Sequence, residues 1–210
     1  MPVKNIIFDL GGVLLQIDPT KTLDAFKKLG MIEADTEIET LLQNQVFRNL
    51  EQGRMENDEF RNNINQMLPE KVDEQLIDDA WNAMLLNFID ERVQLVRQLR
   101  QDYKVFLFSN TNQIHKQFFQ DLFFKNYHFA LSELFDNDFY SHEVGLRKPN
   151  EKAFEKVIMM ADINPHETLF VDDLIENCRA AERLGMKSLC LLPTSDTEYL
   201  LNYLQLYNNN

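Results

Sequence analysis

Residues 3–8 (VKNIIF) form a short, β-branched, nearly all-apolar run that stops at Asp9, Leu10, Gly11 and Gly12. The layout returns three times. Residues 104–108 (KVFLF) run into Ser109, Asn110, Thr111 and Asn112, residues 168–171 (TLFV) into Asp172 and Asp173, and residues 187–192 (KSLCLL) into Pro193. Runs this short and this apolar suit strands buried on both faces of a parallel sheet. Helical patterns separate them, over 90–102, 113–122, 150–162, 175–185 and 196–206. Alternating strands and helices predict an α/β fold with a doubly wound, Rossmann-like parallel sheet.

Residues 19–88 break the alternation. They show no convincing strand, and their apolar residues recur at helical spacing: Leu23, Phe26 and Leu29; Leu41, Leu42 and Val46; Phe60, Ile64 and Met67; Trp81, Met84 and Leu85. Gly30, Gly53 and Pro69 punctuate these runs. A crossover between parallel strands needs one helix, not four. The sequence therefore predicts a helical cap over 18–88, inserted into a core made of 1–17 and 89–210.

Charge narrows the partners. With 21 basic and 34 acidic residues the formal net charge is −13. Such a surface repels nucleic acid and anionic membranes, so neither is expected as a partner. It repels phosphate esters too, so a phosphorylated substrate needs a local cation or lysine. No apolar run reaches the roughly 18 residues of a membrane-spanning helix, and the first residues lack a signal-peptide layout. The two cysteines, Cys178 and Cys190, sit in apolar segments and are expected as buried free thiols. A cytoplasmic location is the expectation.

Open α/β sheets bind ligands beyond the carboxyl ends of their strands. This chain puts Asp9, Ser109, Asn110, Asp172 and Asp173 there, and the segment 145–149 adds Arg147 and Lys148. Each residue alone has a plain structural use. An aspartate forms turns, a Ser-Asn pair caps a helix, paired aspartates complement a helix dipole, and a lysine before proline is commonly solvated. Three carboxylates together repel one another unless a hard divalent cation compensates them. Magnesium takes oxygen ligands and keeps room for water and phosphate oxygens. A lysine offsets further negative charge, and a hydroxyl and an amide supply donors for phosphate oxygens. Carboxylates, cation, lysine and hydroxyl together suit phosphoryl transfer.

The same residues carry a resemblance. Phe8-Asp9-Leu10-Gly11-Gly12-Val13-Leu14, Phe108-Ser109-Asn110-Thr111, Gly145-Leu146-Arg147-Lys148-Pro149 and Phe170-Val171-Asp172-Asp173 resemble, in order, the four motifs of the haloacid dehalogenase (HAD) superfamily. The variant looks similar to bacterial α-glucose-1-phosphate phosphatases and to the phosphatase domain of soluble epoxide hydrolases; residues 47–53 (FRNLEQG) resemble the cap of the former. The resemblance implies a magnesium-dependent phosphatase acting on a small phosphorylated metabolite, with Asp9 as nucleophile. Asp9, Asp173 and the Gly11 carbonyl would ligate Mg2+, with Asp172 acting through water or lysine. Ser109, Asn110 and Lys148 would hold the phosphate. Asn177 has a supporting or a site role, and Arg147 is expected to face solvent.

One position departs from the family. Most HAD phosphatases carry a second aspartate two residues after the nucleophile, as general acid and base; here that residue is Gly11. General acid–base catalysis contributes typically about 10²–10⁴-fold. Its loss favours leaving groups that need little protonation, such as the anomeric oxygen of a hexose 1-phosphate, and argues against a phosphomutase. His115 is either a replacement proton carrier or a partly exposed helix histidine. His142 and Glu143 precede the Lys148 loop, which Glu143 is expected to organise. In the cap, Phe47, Arg48 and Glu51 either contact a sugar or serve packing and surface. Two further readings stay open: a regulatory HAD protein that binds a phosphorylated ligand without turnover, and a metal-free carbon–halogen hydrolase, which the Asp172–Asp173 pair disfavours.

Overall fold

The structure, a computed structural model, describes residues 2–31, 45–191 and 197–208. Leu41, Leu42, Leu192 and Pro193 lie outside these residues. The described strands are β1 (Asn5–Phe8), β2 (Leu15–Ile17), β3 (Leu85–Phe88), β4 (Lys104–Ser109), β5 (Asn137–Tyr140), β6 (Thr168–Asp172) and β7 (Lys187–Cys190). The helices are α1 (Pro19–Lys28), α2 (Gln45–Glu51), α3 (Asn57–Gln66), α4 (Glu74–Asn82), α5 (Asp90–Leu99), α6 (Gln113–Tyr127), α7 (Ser141–Val144), α8 (Glu151–Ala161), α9 (Ile175–Arg183) and α10 (Thr197–Asn208).

Five strands make a parallel sheet in the order β5-β4-β1-β6-β7. Side chains alternate across it, as the pleat requires. Ile6, Phe8, Val105, Leu107, Leu169 and Val171 pack on one face with apolar residues of α5, α6 and α10. Ile7, Phe106, Phe108 and Phe170 pack on the other with α8 and α9. Helices on both faces make the sheet doubly wound, as the sequence predicts. β1 is central and buried along its whole length. Its last residue, Phe8, is in register with Leu107 and Val171. The three central strands therefore end side by side.

Between β2 and β3 the chain leaves the core and forms a helical cap, which includes α1 to α4. Phe26, Phe47, Phe60, Ile64, Ile77 and Trp81 form its apolar centre, and Ile114 of α6 joins them from the core. Local chemistry sets the helix ends. Asp18 accepts from the backbone of Thr20 and Pro19 opens α1, while Asp73 accepts from Gln75 at the start of α4.

A strand pair and an edge strand correct the sequence reading. Residues 19–88 do contain a strand: β3 pairs antiparallel with β2, Leu15 opposite Phe88 and Ile17 opposite Leu85. A four-residue strand paired with a three-residue one is too short to show a period, and Met84 and Leu85 follow α4 closely enough to read as its continuation. The edge strand is β5. Its sequence, NDFY, begins with two residues depleted in strands, and as an edge strand it needs only β4 as neighbour.

Candidate active site

The loops after β1, β4 and β6 and the segment before α8 meet at a cavity of about 330 Å³ between core and cap. Asp9 directly follows β1, while Ser109 and Asp172 are the last residues of β4 and β6. Asp9, Asp172 and Asp173 each direct a carboxylate oxygen inward, and these atoms all lie within 4.8 Å of one another. Lys148 Nζ donates to Asp172 Oδ2 at 2.6 Å and lies 2.9 Å from Asp9 Oδ1. The residues singled out at the strand ends thus converge, although they come from three separated stretches of chain.

Electrostatics follows from this crowding. Burial pushes the Asp9 carboxyl up to about 7; Lys148 works against the shift, and Asp172 and Asp173 add to it. Burial likewise raises Asp173, to about 6, with Asp172 adding repulsion. For Lys148 burial opposes the charge, but Asp172 and Asp9 outweigh it and the ammonium is held above its ordinary range. One lysine does not balance three clustered carboxylates, so the donor set fits a hard divalent cation.

Supporting contacts fix the geometry. The Asn110 side chain grips the Lys148 backbone twice, accepting from its N–H at 2.8 Å and donating to its carbonyl at 3.0 Å. Asp172 Oδ1 accepts from Leu174 N–H and from Asn177 Nδ2, both at 2.9 Å. The cap of α6 is Asn112, whose side chain accepts from His115 N–H, so neither Ser109 nor Asn110 is used as that cap. Gly12 has φ of 72°, and a Cβ there would stand 2.2 Å from Asp173 Oδ2. Only glycine lets the first loop pass this close to that carboxylate.

The family model for haloacid dehalogenase-like hydrolases matches residues 3–185. The chain belongs to this family. The hydrolase is 33% identical over 186 residues to a D-ribitol-5-phosphate phosphatase of Bacteroides thetaiotaomicron, covering 89% of this chain and 90% of the relative. It is 30% identical over 190 residues to a sesquiterpene phosphatase of Aspergillus oryzae, with 90% and 89% covered. Among solved structures, it superposes on a HAD-family enzyme of B. thetaiotaomicron with a TM-score of 0.90 at 32% identity, covering 95% of this chain and 98% of that one; that structure is an aspartate-to-alanine variant in complex with magnesium and inorganic phosphate.

Some further residues of the hydrolase stand differently from expectation, and others stand as expected. Arg147 does not simply face solvent: its Nη2 lies 3.1 Å from Glu51 Oε2, linking core to cap, and both residues line the cavity. Phe47 is core packing in the cap and Arg48 is exposed, outside the cavity. His115 is buried rather than partly exposed. Its ring stacks on Trp81 with centroids 4.4 Å apart, and its Nε2 lies 3.1 Å from the Trp81 carbonyl. Burial lowers its pKa to about 4, so the ring is neutral at neutral pH. Glu143 pairs with Lys116 of α6. Cys178 is a buried free thiol, as expected, whereas Cys190 is only half-buried.

Sequence reasoning missed Arg92, buried in α5. It donates to the carbonyls of Gly12 at 3.1 Å and Val13 at 2.7 Å, pinning the first loop. The available signal was a charged residue within the inward stripe of Val93 and Val96.

Proposed function

We propose that this hydrolase is a magnesium-dependent phosphatase that acts on a small sugar or polyol phosphate through a phosphorylated Asp9. The convergence of Asp9, Asp172 and Asp173 around Lys148 carries the reading. The B. thetaiotaomicron and A. oryzae relatives, both phosphatases, support it, as does the magnesium and phosphate complex.

Asp9, Asp173 and the Gly11 carbonyl would hold the ion, with Asp172 outside that set. Magnesium bound there offsets negative charge and polarises a phosphate oxygen. Asp9 Oδ1 already accepts from Leu10 N–H and faces Lys148, which leaves Oδ2 to attack phosphorus. The bond to the leaving oxygen breaks as the Asp9–phosphate bond forms, and water then hydrolyses that acyl phosphate. Ser109 donates its hydroxyl to the phosphate. Asn110 contributes backbone N–H, because its side chain is engaged with Lys148. Asp172 keeps Lys148 aimed at the nucleophile. The segment 18–88 closes over the core formed by 1–17 and 89–210 and excludes water during transfer.

Gly11 leaves the leaving oxygen without a carboxyl donor at the family's position. A hexose 1-phosphate suits that loss better than a primary ester, whereas the ribitol relative points to a polyol 5-phosphate. The cavity, about 330 Å³, is at the small end of the ~300–1,000 Å³ common for ligand pockets, which suits either. The test is phosphate release from p-nitrophenyl phosphate, glucose 1-phosphate, glucose 6-phosphate and D-ribitol 5-phosphate, with and without magnesium, by wild type and Asp9→Asn. Magnesium-dependent release that Asp9→Asn abolishes is expected. Calorimetric binding of these esters with no release would favour the regulatory reading that Gly11 keeps open. Much higher kcat/KM for glucose 6-phosphate than for glucose 1-phosphate would refute the leaving-group argument.

A further inference from the structure

Of the ionisable groups on the cavity wall, the phosphatase reading employs Asp9, Lys148 and Asp173. Three remain among the described residues: His115, Glu51 and Arg147. His115 is committed to Trp81 through ring and Nε2. Glu51 and Arg147 instead face each other across the boundary between cap and core, 3.1 Å apart, with side chains 20% and 31% exposed. Arg147 Nε is buried without a hydrogen-bond partner. The pair is also held in place. Glu51 ends α2, and two residues on, Gly53 packs so tightly on α7 that a Cβ would stand 2.1 Å from the His142 carbonyl. Arg147 adjoins Lys148, whose backbone Asn110 clamps.

We propose that Glu51 and Arg147 form the specificity element of the cavity, binding hydroxyl groups of the substrate's leaving portion. A carboxylate accepts from an O–H and a guanidinium donates to its oxygen, so a chain of hydroxyls satisfies both at once. The pair is electrically neutral as a unit. An anionic tail, such as a second phosphate, meets Glu51; a cationic tail meets Arg147; an apolar tail leaves the pair's remaining hydrogen-bonding capacity, the Arg147 Nε–H included, buried and unsatisfied. A neutral polyhydroxylated tail avoids all three penalties. Leu15, Ile17, Trp81 and Met84 add apolar surface to the same wall.

This inference rests on the phosphatase reading, and one data set separates the two. Wild type, Glu51→Ala and Glu51→Gln are assayed with p-nitrophenyl phosphate, which has no hydroxyls on its leaving group. They are also assayed with whichever of glucose 1-phosphate and D-ribitol 5-phosphate the wild type hydrolyses faster, and with glucose 1,6-bisphosphate. Loss of charged hydrogen bonds predicts that Glu51→Ala lowers kcat/KM for the sugar or polyol ester roughly 10- to 100-fold, chiefly through KM. Activity on p-nitrophenyl phosphate stays within about twofold, and Glu51→Gln gains relative activity on the bisphosphate. An equal loss on all substrates would make Glu51 a mere fastener of the cap and overturn the proposal. So would no loss at all, or a loss confined to kcat that grows with leaving-group basicity, which marks proton transfer. If wild type releases no phosphate even from p-nitrophenyl phosphate, the phosphatase reading itself falls, and this inference with it.

Discussion

Lys148 Nζ stands 2.9 Å from Asp9 Oδ1, and the lysine side chain is only 1% exposed. Its other partner, Asp172 at 2.6 Å, is fully buried. Removing the lysine's charge leaves two buried carboxylates facing each other and Asp173. Breaking a buried pair from one side costs about 3–5 kcal/mol, relieved in part by proton uptake. The ammonium that faces the nucleophile and offsets the charge of the transferring phosphoryl group is lost as well. Lys148→Met is therefore expected to lower kcat at pH 7 by at least about 10³-fold and to reduce the urea midpoint. Phosphate-release kinetics and equilibrium unfolding check both, and near-normal turnover in this variant would rule out the role given to Lys148.

Gly11 invites the opposite experiment. Its φ lies outside the left-handed range, and a Cβ there would meet only the methyl carbons of Ile17, at 3.4 Å. An aspartate is sterically admissible, unlike at Gly12, where the first atom added collides with Asp173. Gly11→Asp is expected to raise kcat for a primary ester such as glucose 6-phosphate about tenfold or more relative to p-nitrophenyl phosphate, since proton donation matters most for a basic leaving oxygen. An unchanged ratio between the two substrates, in a variant that folds normally, would mean that protonation does not limit the reaction.

How much of this was legible in the sequence depended on the range of the interaction. The runs at 3–8, 104–108 and 168–171 announced their burial because strands covered on both faces need apolar side chains at every position. Asp9, Asp172, Asp173 and Lys148 were legible because carboxylates gathered at neighbouring strand ends repel one another unless a lysine and a divalent cation compensate them. β5 was not: an edge strand tolerates Asn and Asp. The Trp81–His115 stack and the Glu51–Arg147 pair were not either, since each joins cap to core and leaves no periodic trace in either segment. Arg147 read as a solvated loop residue because its partner is supplied by the cap.

Two glycines separate backbone strain from contact at that boundary. Gly53 and Gly145 both have positive φ, 63° and 79°. Alanine at Gly145 meets nothing within 4 Å and is expected to cost only the left-handed backbone penalty, about 1–2 kcal/mol. Alanine at Gly53 bears that penalty and also strikes the His142 carbonyl, 2.1 Å from its Cβ. The expected additional cost is about 1–3 kcal/mol, together with a larger KM for the sugar ester as Glu51 shifts. Thermal unfolding of the two variants side by side is the measurement; equal destabilisation would show that the cap does not press on α7 in solution.

His115 supplies a pH dependence with a definite sign. Burial lowers its pKa to about 4 from an ordinary value of 6.5. Between those values the unfolded chain binds a proton that the folded chain does not, so acid favours unfolding. The contribution is complete above pH 6.5 and is lost progressively as the pH falls toward 4. By pH 5 the loss amounts to about 2 kcal/mol. His115→Phe keeps a ring against Trp81 but cannot take up the proton. It is expected to be less stable than wild type at pH 7, having lost the bond to the Trp81 carbonyl, yet to lose less stability between pH 7 and pH 5. Urea unfolding at the two pH values measures this difference of differences. Parallel losses in the two proteins would mean that His115 takes up its proton in the fold as readily as in the unfolded chain, so that burial does not depress it.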